Sequence, residues 1–177
     1  MTWKIAFVLA LLLPLSACET PPKKINDANI VEKSHHAAQA LINNLQWDME
    51  AGRPLIVASF ANIDNLGESS SLGRIVSQQL ASQFTQKGYS VIEVLLRRSV
   101  YIKQQQGQFL LSRDVQELSR EHDAQAVIVG TYAVGADNIY ITAKLIRAQD
   151  SIVLAAHDYT LPMGPDAQAL LKRNRFR

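Results

Sequence analysis

The order of apolar segments predicts a single α/β domain with a mixed sheet of about four to five strands packed by helices. Two nearly continuous apolar runs, 55–60 and 126–132, are typical of strands that are buried on both faces. Helical patterns separate these runs, and two further strand patterns follow with no helix between them. This order, α-β-α-β-(β)-α-β-β-β, favours a sheet whose C-terminal strands form an antiparallel meander.

The first helix is indicated by apolar residues that recur at spacings of three, four and seven from residue 28 onwards. Asp27 is the expected N-cap, because its carboxylate can accept from the free N–H groups of the first turn. The apolar stripe consists of Ile30, Val31, Ala37, Ala38, Leu41, Ile42 and Leu45.

The second helix follows a loop over residues 61–71. A serine in the run 69–71 is expected to cap it, and Glu68 suits the positive end of the helix dipole. Gly88 is placed to end the helix, after which residues 89–96 predict a strand and residues 99–103 a short extended segment. The inward face of this helix consists of Leu72, Ile75, Val76, Leu80 and Phe84.

The C-terminal half is predicted to contain a third helix and the meander. A polar turn at residues 104–107 precedes Ser112 and Asp114, which begin a helix with Val115 and Leu118 facing inward. Residues 138–147 alternate between apolar and polar side chains, and residues 152–160 continue the meander after a turn. Pro162 and Pro165 are expected to end it, and a short basic helix or tail follows.

Cys18 is the only cysteine, and it follows Leu15-Ser16-Ala17 at the end of an apolar run. One lysine, a short apolar stretch and small residues before the cysteine are the anatomy of a signal peptide, and the run is too short to span a membrane. This pattern resembles a bacterial lipoprotein signal, in which the cysteine is acylated and becomes the first mature residue. An ordinary secretory signal cut after Ala17 is the less favoured alternative.

The residues after Cys18 predict a short tether and the membrane to which the protein is sorted. Residues 19–27 are polar with adjacent prolines, so they reach about 30 Å at most and keep the domain near the membrane. Position 19 is Glu, whereas an Asp there resembles the signal that retains lipoproteins in the inner membrane. The expected location is therefore the outer membrane of a Gram-negative bacterium, facing the periplasm.

Composition excludes several classes of protein. The net charge is +2 over 177 residues, which gives no general case for nucleic-acid binding. Once Cys18 is acylated no thiol remains, so disulfides, cysteine catalysis and thiolate metal sites are excluded. The four histidines form no metal-binding spacing, and His35 and His36 point about 100° apart on a helix. We therefore expect a protein that is not an enzyme and has no metal or cofactor besides the lipid.

Two stretches could bind anions or partners. Gly67 to Arg74 loosely resembles a phosphate-binding loop, but it has one residue too many between the glycines and Arg where Lys is needed. A capped helix start is the favoured interpretation, and anion binding at free N–H groups is the other. The basic tail could contact anionic lipid, lipopolysaccharide, peptidoglycan or an acidic protein, or it could be a solvated terminus. Its basic residues are Lys172, Arg173, Arg175 and Arg177.

A series of short motifs is specific enough to suggest a family. In chain order they are Val57-Ala-Ser-Phe60, Asn62-Ile-Asp-Asn-Leu-Gly67, Ser71-Leu-Gly-Arg74, Gly88-Tyr-Ser-Val-Ile-Glu93, Gly107-Gln-Phe-Leu-Leu-Ser-Arg-Asp114 and Val127-Ile-Val-Gly-Thr-Tyr132. The series resembles the FlgO family of outer-membrane lipoproteins associated with flagella, over roughly residues 36–160. This family is similar in fold to the N-terminal domain of TolB and to CsgG and LpoB.

The resemblance implies a non-enzymatic factor that assembles with other flagellar or envelope proteins and stabilises the flagellum. An LpoB-like regulator of a peptidoglycan synthase is the alternative, although a tether of about nine residues is short for that role. Self-association through exposed edge strands is a further expectation. Within the motifs, the candidate anion- or partner-binding residues are Asn62, Asp64, Asn65, Ser71, Arg74, Arg113 and Asp114.

The chain is thus expected to divide into four parts. Residues 1–17 form the lipoprotein signal peptide and residues 18–27 the lipidated tether. Residues 28–163 form the FlgO-like α/β domain, and residues 164–177 form the basic C-terminal tail.

Overall fold

A computed structural model describes residues 24–67, 69–94, 101–103, 109–111 and 113–172. The helices are α1 (Ile30–Asn43), α2 (Ser71–Gln86), α3 (Arg113–Glu121) and α4 (Pro165–Leu171). The strands are β1 (Leu55–Ala58), β2 (Ala61–Asn62), β3 (Val91–Val94), β4 (Tyr101–Lys103), β5 (Phe109–Leu111), β6 (Ala126–Val134), β7 (Asn138–Arg147) and β8 (Val153–Pro162).

The main sheet is mixed, with the strand order β3-β1-β6-β7-β8 and β2 paired beside β6. Strand β1 runs parallel to both β3 and β6, and its four residues are all buried. This confirms the predicted α/β domain with a mixed sheet. The sixth strand is β2, a two-residue segment within the predicted loop 61–71, and it is too short to show a periodicity.

The antiparallel meander is confirmed as the C-terminal part of the sheet. Strands β6, β7 and β8 pair in sequence, from Ala126↔Arg147 to Val134↔Ile139 and on to Asn138↔Pro162. The alternation of β7 buries Ile139, Ile141, Ala143 and Leu145 on one face, as its sequence predicts.

Helices cover both faces of the sheet. On one face α1, α2 and α4 enclose the larger core, which includes Leu41, Leu80, Phe84 and Ile128. On the other face Val115 of α3 packs with a smaller cluster that contains Ile56, Val127 and Val129. The expected inward positions of Val115 and Leu118 are confirmed, since Leu118 packs against the same cluster.

Helix α1 begins differently from the prediction. Asn29 is the N-cap, and its side-chain oxygen accepts from the N–H of Glu32 at 3.2 Å. The prediction of a cap at Asp27 was therefore wrong. Val31 is 47% exposed and does not belong to the buried stripe, whereas Ala37, Ala38 and Leu41 do.

Asp27 instead caps a helix at the far end of the chain. Its carboxylate accepts from the N–H groups of Asp166 and Ala167 in α4 at 2.9 and 3.0 Å. Pro165 therefore begins a helix after the meander, in agreement with the preference of proline for the first helical position. Ala167 is buried in the main core, so α4 packs against the sheet domain although it lies in the stretch assigned to the tail.

Several predictions concern residues outside the described ranges: the signal peptide, Cys18, Glu68, the turn at 104–107, Ser112, Arg173, Arg175 and Arg177. Near these gaps, β4 and β5 form a separate antiparallel pair with Ile102 opposite Leu110. Among the helices in the described ranges, none is long and apolar enough to cross a membrane.

Candidate functional site

The predicted partner-binding residues between β1 and α2 do come together in space. The loop that carries Asn62, Asp64 and Asn65 leaves the sheet beside β6, where the N–H of Ile63 donates to the carbonyl of Tyr132 at 2.9 Å. It then turns into the first residues of α2, which include Ser71 and Arg74. We call residues 62–67 and 69–74 with Tyr132 the β2–α2 loop site.

Close backbone packing holds the two ends of this loop against each other. The N–H of Phe60 donates to the carbonyl of Gly73 at 3.3 Å, and the Ser69 hydroxyl donates to the carbonyl of Phe60 at 2.8 Å. A Cβ at Gly73 would lie 2.3 Å from that same carbonyl oxygen, so only glycine fits there. These contacts therefore fix the residues before and after the loop against each other.

A serine caps α2, as the sequence predicts. Ser70 is the N-cap, and its hydroxyl oxygen accepts from the N–H of Gly73 at 3.1 Å. Its own N–H donates to the phenolic oxygen of Tyr132 at 3.1 Å. Tyr132 is buried in β6, so its hydroxyl links the sheet to the start of the helix.

Two asparagines shape the exposed part of the loop. The side-chain oxygen of Asn62 accepts from the N–H of Asp64 at 3.0 Å, and that of Asn65 accepts from the N–H of Gly67 at 3.3 Å. Both contacts span two residues, which is the geometry of an Asx turn. These two asparagine oxygens are occupied within the loop, and Asp64 between them is exposed.

Arg74 contacts its own loop. One guanidinium nitrogen donates to the carbonyl of Ser69 at 3.0 Å, and another donates to the hydroxyl of Ser71 at 3.0 Å. Because Arg74 is exposed, its outer edge remains accessible to an anionic group. The N–H groups of Gly73 and Arg74 are engaged by Ser70, which favours the capped-helix interpretation over a phosphate-binding loop.

Arg113 and Asp114 do not join this group. They begin α3, whose Val115 packs on the opposite face of the sheet from α2. The seven candidate residues therefore divide into five in the β2–α2 loop site and two on another helix.

Two exposed apolar residues beside the site were not predicted from the sequence. Ile63 and Tyr140 flank Ala133 on either side of β6 and are 45% and 56% exposed. Exposed apolar side chains grouped beside polar loop residues are typical of surfaces that bind other proteins. In the sequence these residues are 77 positions apart (140 − 63), and Tyr140 looks like an ordinary outward strand residue.

A second group that the sequence did not reveal lies between α1 and β8. The rings of His36 and His157 have centroids 5.7 Å apart, and His157 stacks on Tyr159 at 6.1 Å. Burial, with a further effect from His36, lowers the pKa of His157, and Asp158 opposes this change. Burial also raises the pKa of Tyr159 to about 12.

The lowered pKa of His157 predicts a loss of stability in mild acid. The unfolded chain takes up a proton as the pH falls through about 6.5, before the folded chain does. The free energy of unfolding should therefore decrease below that pH and level off below the folded-state pKa. Urea unfolding across this range should show a weaker pH dependence for His157→Gln than for His122→Gln, which changes a histidine distant from α1 and β8. Equal dependence in both variants would contradict the assignment.

A cavity of about 290 Å³ lies near the turn between β7 and β8, and Arg53, Arg120, Asp123 and Gln149 contribute to its lining. The guanidinium of Arg53 bridges Glu50 and Asp123 at 3.0 and 2.8 Å, and the hydrogen bond to Asp123 is the main cause of its raised pKa. Buried Gln125 fixes the turn over residues 50–53, because its amide donates to the carbonyls of Glu50 and Arg53. The guanidinium of Arg53 thus joins the turn before β1 to the turn after α3.

Within the described ranges, no cluster of three or more histidine, cysteine or acidic side chains is arranged to hold a metal ion. Of the basic tail, only Lys172 lies in those ranges, and it is exposed at the end of α4.

A family model described as FlgO protein matches residues 35–166, the part of the sequence that contains the main sheet, the loop and their motifs. The chain belongs to the FlgO family. This match confirms the resemblance based on the motifs, and it contains the whole β2–α2 loop site of this FlgO-family protein.

Solved structures with similar folds share little sequence with this FlgO-family protein. The C-terminal domain of LpoB from Salmonella enterica is 14% identical, with a TM-score of 0.48 over 70% of this chain and 93% of its own. LpoB from Escherichia coli is 13% identical, with a TM-score of 0.49 over 91% and 83%. PelC from Paraburkholderia phytofirmans, a dodecamer, is 19% identical, with a TM-score of 0.45 over 66% and 76%. Among curated protein sequences, none matches the chain.

Proposed function

We propose that this FlgO-family protein is a non-enzymatic lipoprotein of the outer membrane that assembles with other envelope proteins and stabilises the flagellum. The observation that carries the proposal is the family match over residues 35–166. The lipoprotein pattern ending at Cys18 supports the anchor, and the acyl chains are the only added group that the proposal needs.

The chemistry of the described residues supports binding more than catalysis. In the β2–α2 loop site the serines cap α2 or brace its loop, and the Asn62 and Asn65 oxygens shape the turns. A nucleophile needs an adjacent base, whereas the hydroxyls of Ser69, Ser70 and Ser71 contact the Phe60 carbonyl, the Gly73 N–H and the Arg74 guanidinium. A loop that is held at both ends and presents Asp64, Ile63 and Arg74 suits a docking surface for another protein.

Deletion of the gene, followed by complementation, tests the proposal. Loss of motility or of attached flagella should be restored by the native protein. Complementation by the double variant Ile63→Glu, Tyr140→Glu should fail, because it places charges on the exposed apolar side chains beside the loop. The matched control is Ile152→Glu, since Ile152 is 51% exposed in the turn between β7 and β8.

The outcomes separate the possible roles. Normal motility and normal flagella in the deletion strain would contradict a flagellar role. Equal failure of the double variant and of Ile152→Glu would contradict the loop site as the contact surface. Co-purification of the lipidated protein from envelopes would identify its partners, and native mass spectrometry would report self-association.

A further inference from the structure

Strand β8 forms one end of the main sheet. In the order β3-β1-β6-β7-β8 it pairs with β7, and no other described strand lies on its outer side. The features that usually protect such an edge lie at its two ends, where the register shifts at Leu154 and where Pro162 ends the strand. Between them, residues 155–161 form a regular edge strand whose outward peptide groups have no partner among the described strands.

The hydrogen bonds of β7 show which peptide groups of β8 point outward. Gly135 lies opposite Asn138 and donates to its carbonyl at 2.9 Å, so the even-numbered residues of β7 bond to β6. On the other side Met163 lies opposite Asp137 and donates to its carbonyl at 2.8 Å, so the odd-numbered residues of β7 bond to those of β8. The even-numbered residues of β8 therefore direct their N–H and C=O groups away from the sheet. In the regular part of the strand these residues are Ala156, Asp158 and Thr160.

Two observations agree with an open edge at these positions. All three side chains are exposed. Pro162 continues the same series, and its missing N–H removes no bond to β7 because that position points outward. The main-chain groups of three alternate residues are thus available to an added strand, which is a common way for a sheet edge to bind an extended peptide.

Asp158 gives this edge its chemical character. It is the only acidic residue of β8, which has no lysine or arginine. The ion pairs found among the described residues are formed by Arg53 and Arg147, and none includes Asp158. On its own face of the sheet Asp158 lies opposite Thr142 and diagonal to Lys144. A carboxylate at the centre of the open edge can therefore pair with a cation on its outer side.

A second copy of β8 fits this edge poorly. Two copies paired antiparallel about a two-fold axis bond best when Ala156 lies opposite Thr160, and that register places the two Asp158 carboxylates directly opposite each other. Like charges in this position destabilise a pair of strands. A shift of two residues in either direction brings Leu154 or Pro162 into the pairing, where the register is irregular or the N–H is missing. A strand with a basic residue opposite Asp158 meets neither difficulty.

We infer that the outer edge of β8 binds an extended segment of a partner protein, antiparallel to β8, with a lysine or arginine directly opposite Asp158. Main-chain hydrogen bonds to the three outward residues supply the contact, and the ion pair selects the partner and its register. This surface belongs to a different strand from the β2–α2 loop site, and the inference does not rest on the flagellar role.

Hydrogen exchange followed by NMR first tests the edge in the free protein. The amides of the three outward residues should exchange faster than those of their odd-numbered neighbours, which bond to β7. These neighbours are His157, Tyr159 and Leu161. Equally slow exchange in both sets would show that the edge is already covered, and would overturn the inference.

The binding probe is a seven-residue peptide of threonine and valine with a central lysine. NMR titration with this peptide should shift and protect the three outward amides. The same peptide with a central glutamate should need an about tenfold higher concentration, because opposite charges stabilise a cross-strand pair and like charges destabilise it. Asp158→Lys should reverse this preference. Glu121→Lys makes the same change of charge at an exposed position on α3, and should leave the preference unchanged.

N-methylated peptides test the main-chain hydrogen bonds without altering the protein. N-methylation of the lysine and of the second residue on either side of it removes the N–H groups that face β8, and should abolish the protection. N-methylation of the two residues between them should leave the protection in place, because their N–H groups point away from β8.

Equal responses to the lysine and glutamate peptides, equal effects of the two methylation patterns, or no protection of β8 by either peptide would overturn the inference. A dimer in native mass spectrometry with protected β8 amides would assign the edge to a second copy, and would overturn it as well. The flagellar role fails separately, since normal motility in the deletion strain would contradict that role and would not alter the peptide titration.

Discussion

Gly130→Ala is expected to lower the free energy of unfolding by about 2–3 kcal/mol, because it overfills the core. Gly130 lies in the middle of β6, and a Cβ there would lie 2.2–2.5 Å from three ring carbons of Phe60. Phe60 is buried at 1% exposure, so its ring can move only by displacing the side chains packed around it. Phe60 also supports the β2–α2 loop site, because its backbone carbonyl accepts a hydrogen bond from the Ser69 hydroxyl.

Urea unfolding of the soluble domain measures this loss. Gly67→Ala is the matched control, because its Cβ would meet only the Asn65 side-chain oxygen at an ordinary 3.5 Å. A double-mutant cycle with Phe60→Leu makes the test specific. Phe60→Leu should cost less in the Gly130→Ala background than in the native chain, since the smaller side chain relieves the clash. Additive costs, or an unchanged midpoint for Gly130→Ala, would contradict the proposed contact.

Local patterns predicted most of the fold. Strands β1 and β6 were found because their residues are buried on both faces, and β7 because its alternation matches a sheet with one core face. The cap of α2 by one of the serines 69–71 and the position of Gly88 after its last turn were predicted correctly, because capping needs only neighbouring residues. These features depend on interactions within a few positions of the chain.

Features that depend on distant contacts were not predicted. Asp27 and Asn29 are both good capping residues for α1. Which of them caps α1 depends on α4, because Asp27 binds Asp166 of α4, 139 positions later in the sequence. In the same way His36 meets His157 only because α1 packs beside β8. No sequence spacing reports either contact.

The candidate site was predicted in part for the same reason. Its motif residues in the β2–α2 loop lie close together in the sequence, between positions 62 and 74, so sequence alone grouped them. The exposed pair Ile63 and Tyr140 depends on the pairing of β6 with β7. Arg113 and Asp114 were added through their motif, and they lie on the helix that covers the opposite face.

Cys18→Ser is expected to remove the protein from the outer-membrane fraction almost completely. Each buried methylene contributes about 0.8 kcal/mol, so two long acyl chains provide far more binding energy than any surface contact of the domain. Fractionation with a labelled fatty acid should show neither the label nor outer-membrane protein for this variant. The folded domain begins after the tether, so the urea midpoint of the mature chain should remain unchanged.

Glu19→Asp supplies the matched control for this prediction. It leaves the acylated thiol intact and places an Asp at position 19, where an Asp resembles the inner-membrane retention signal. The variant should therefore remain acylated and membrane-bound but move to the inner membrane, which separates anchoring from sorting. If Cys18→Ser retained normal outer-membrane levels, the lipid anchor would be excluded. If it lowered the unfolding midpoint, Cys18 would have a structural role, and the separation of anchor from domain would be wrong.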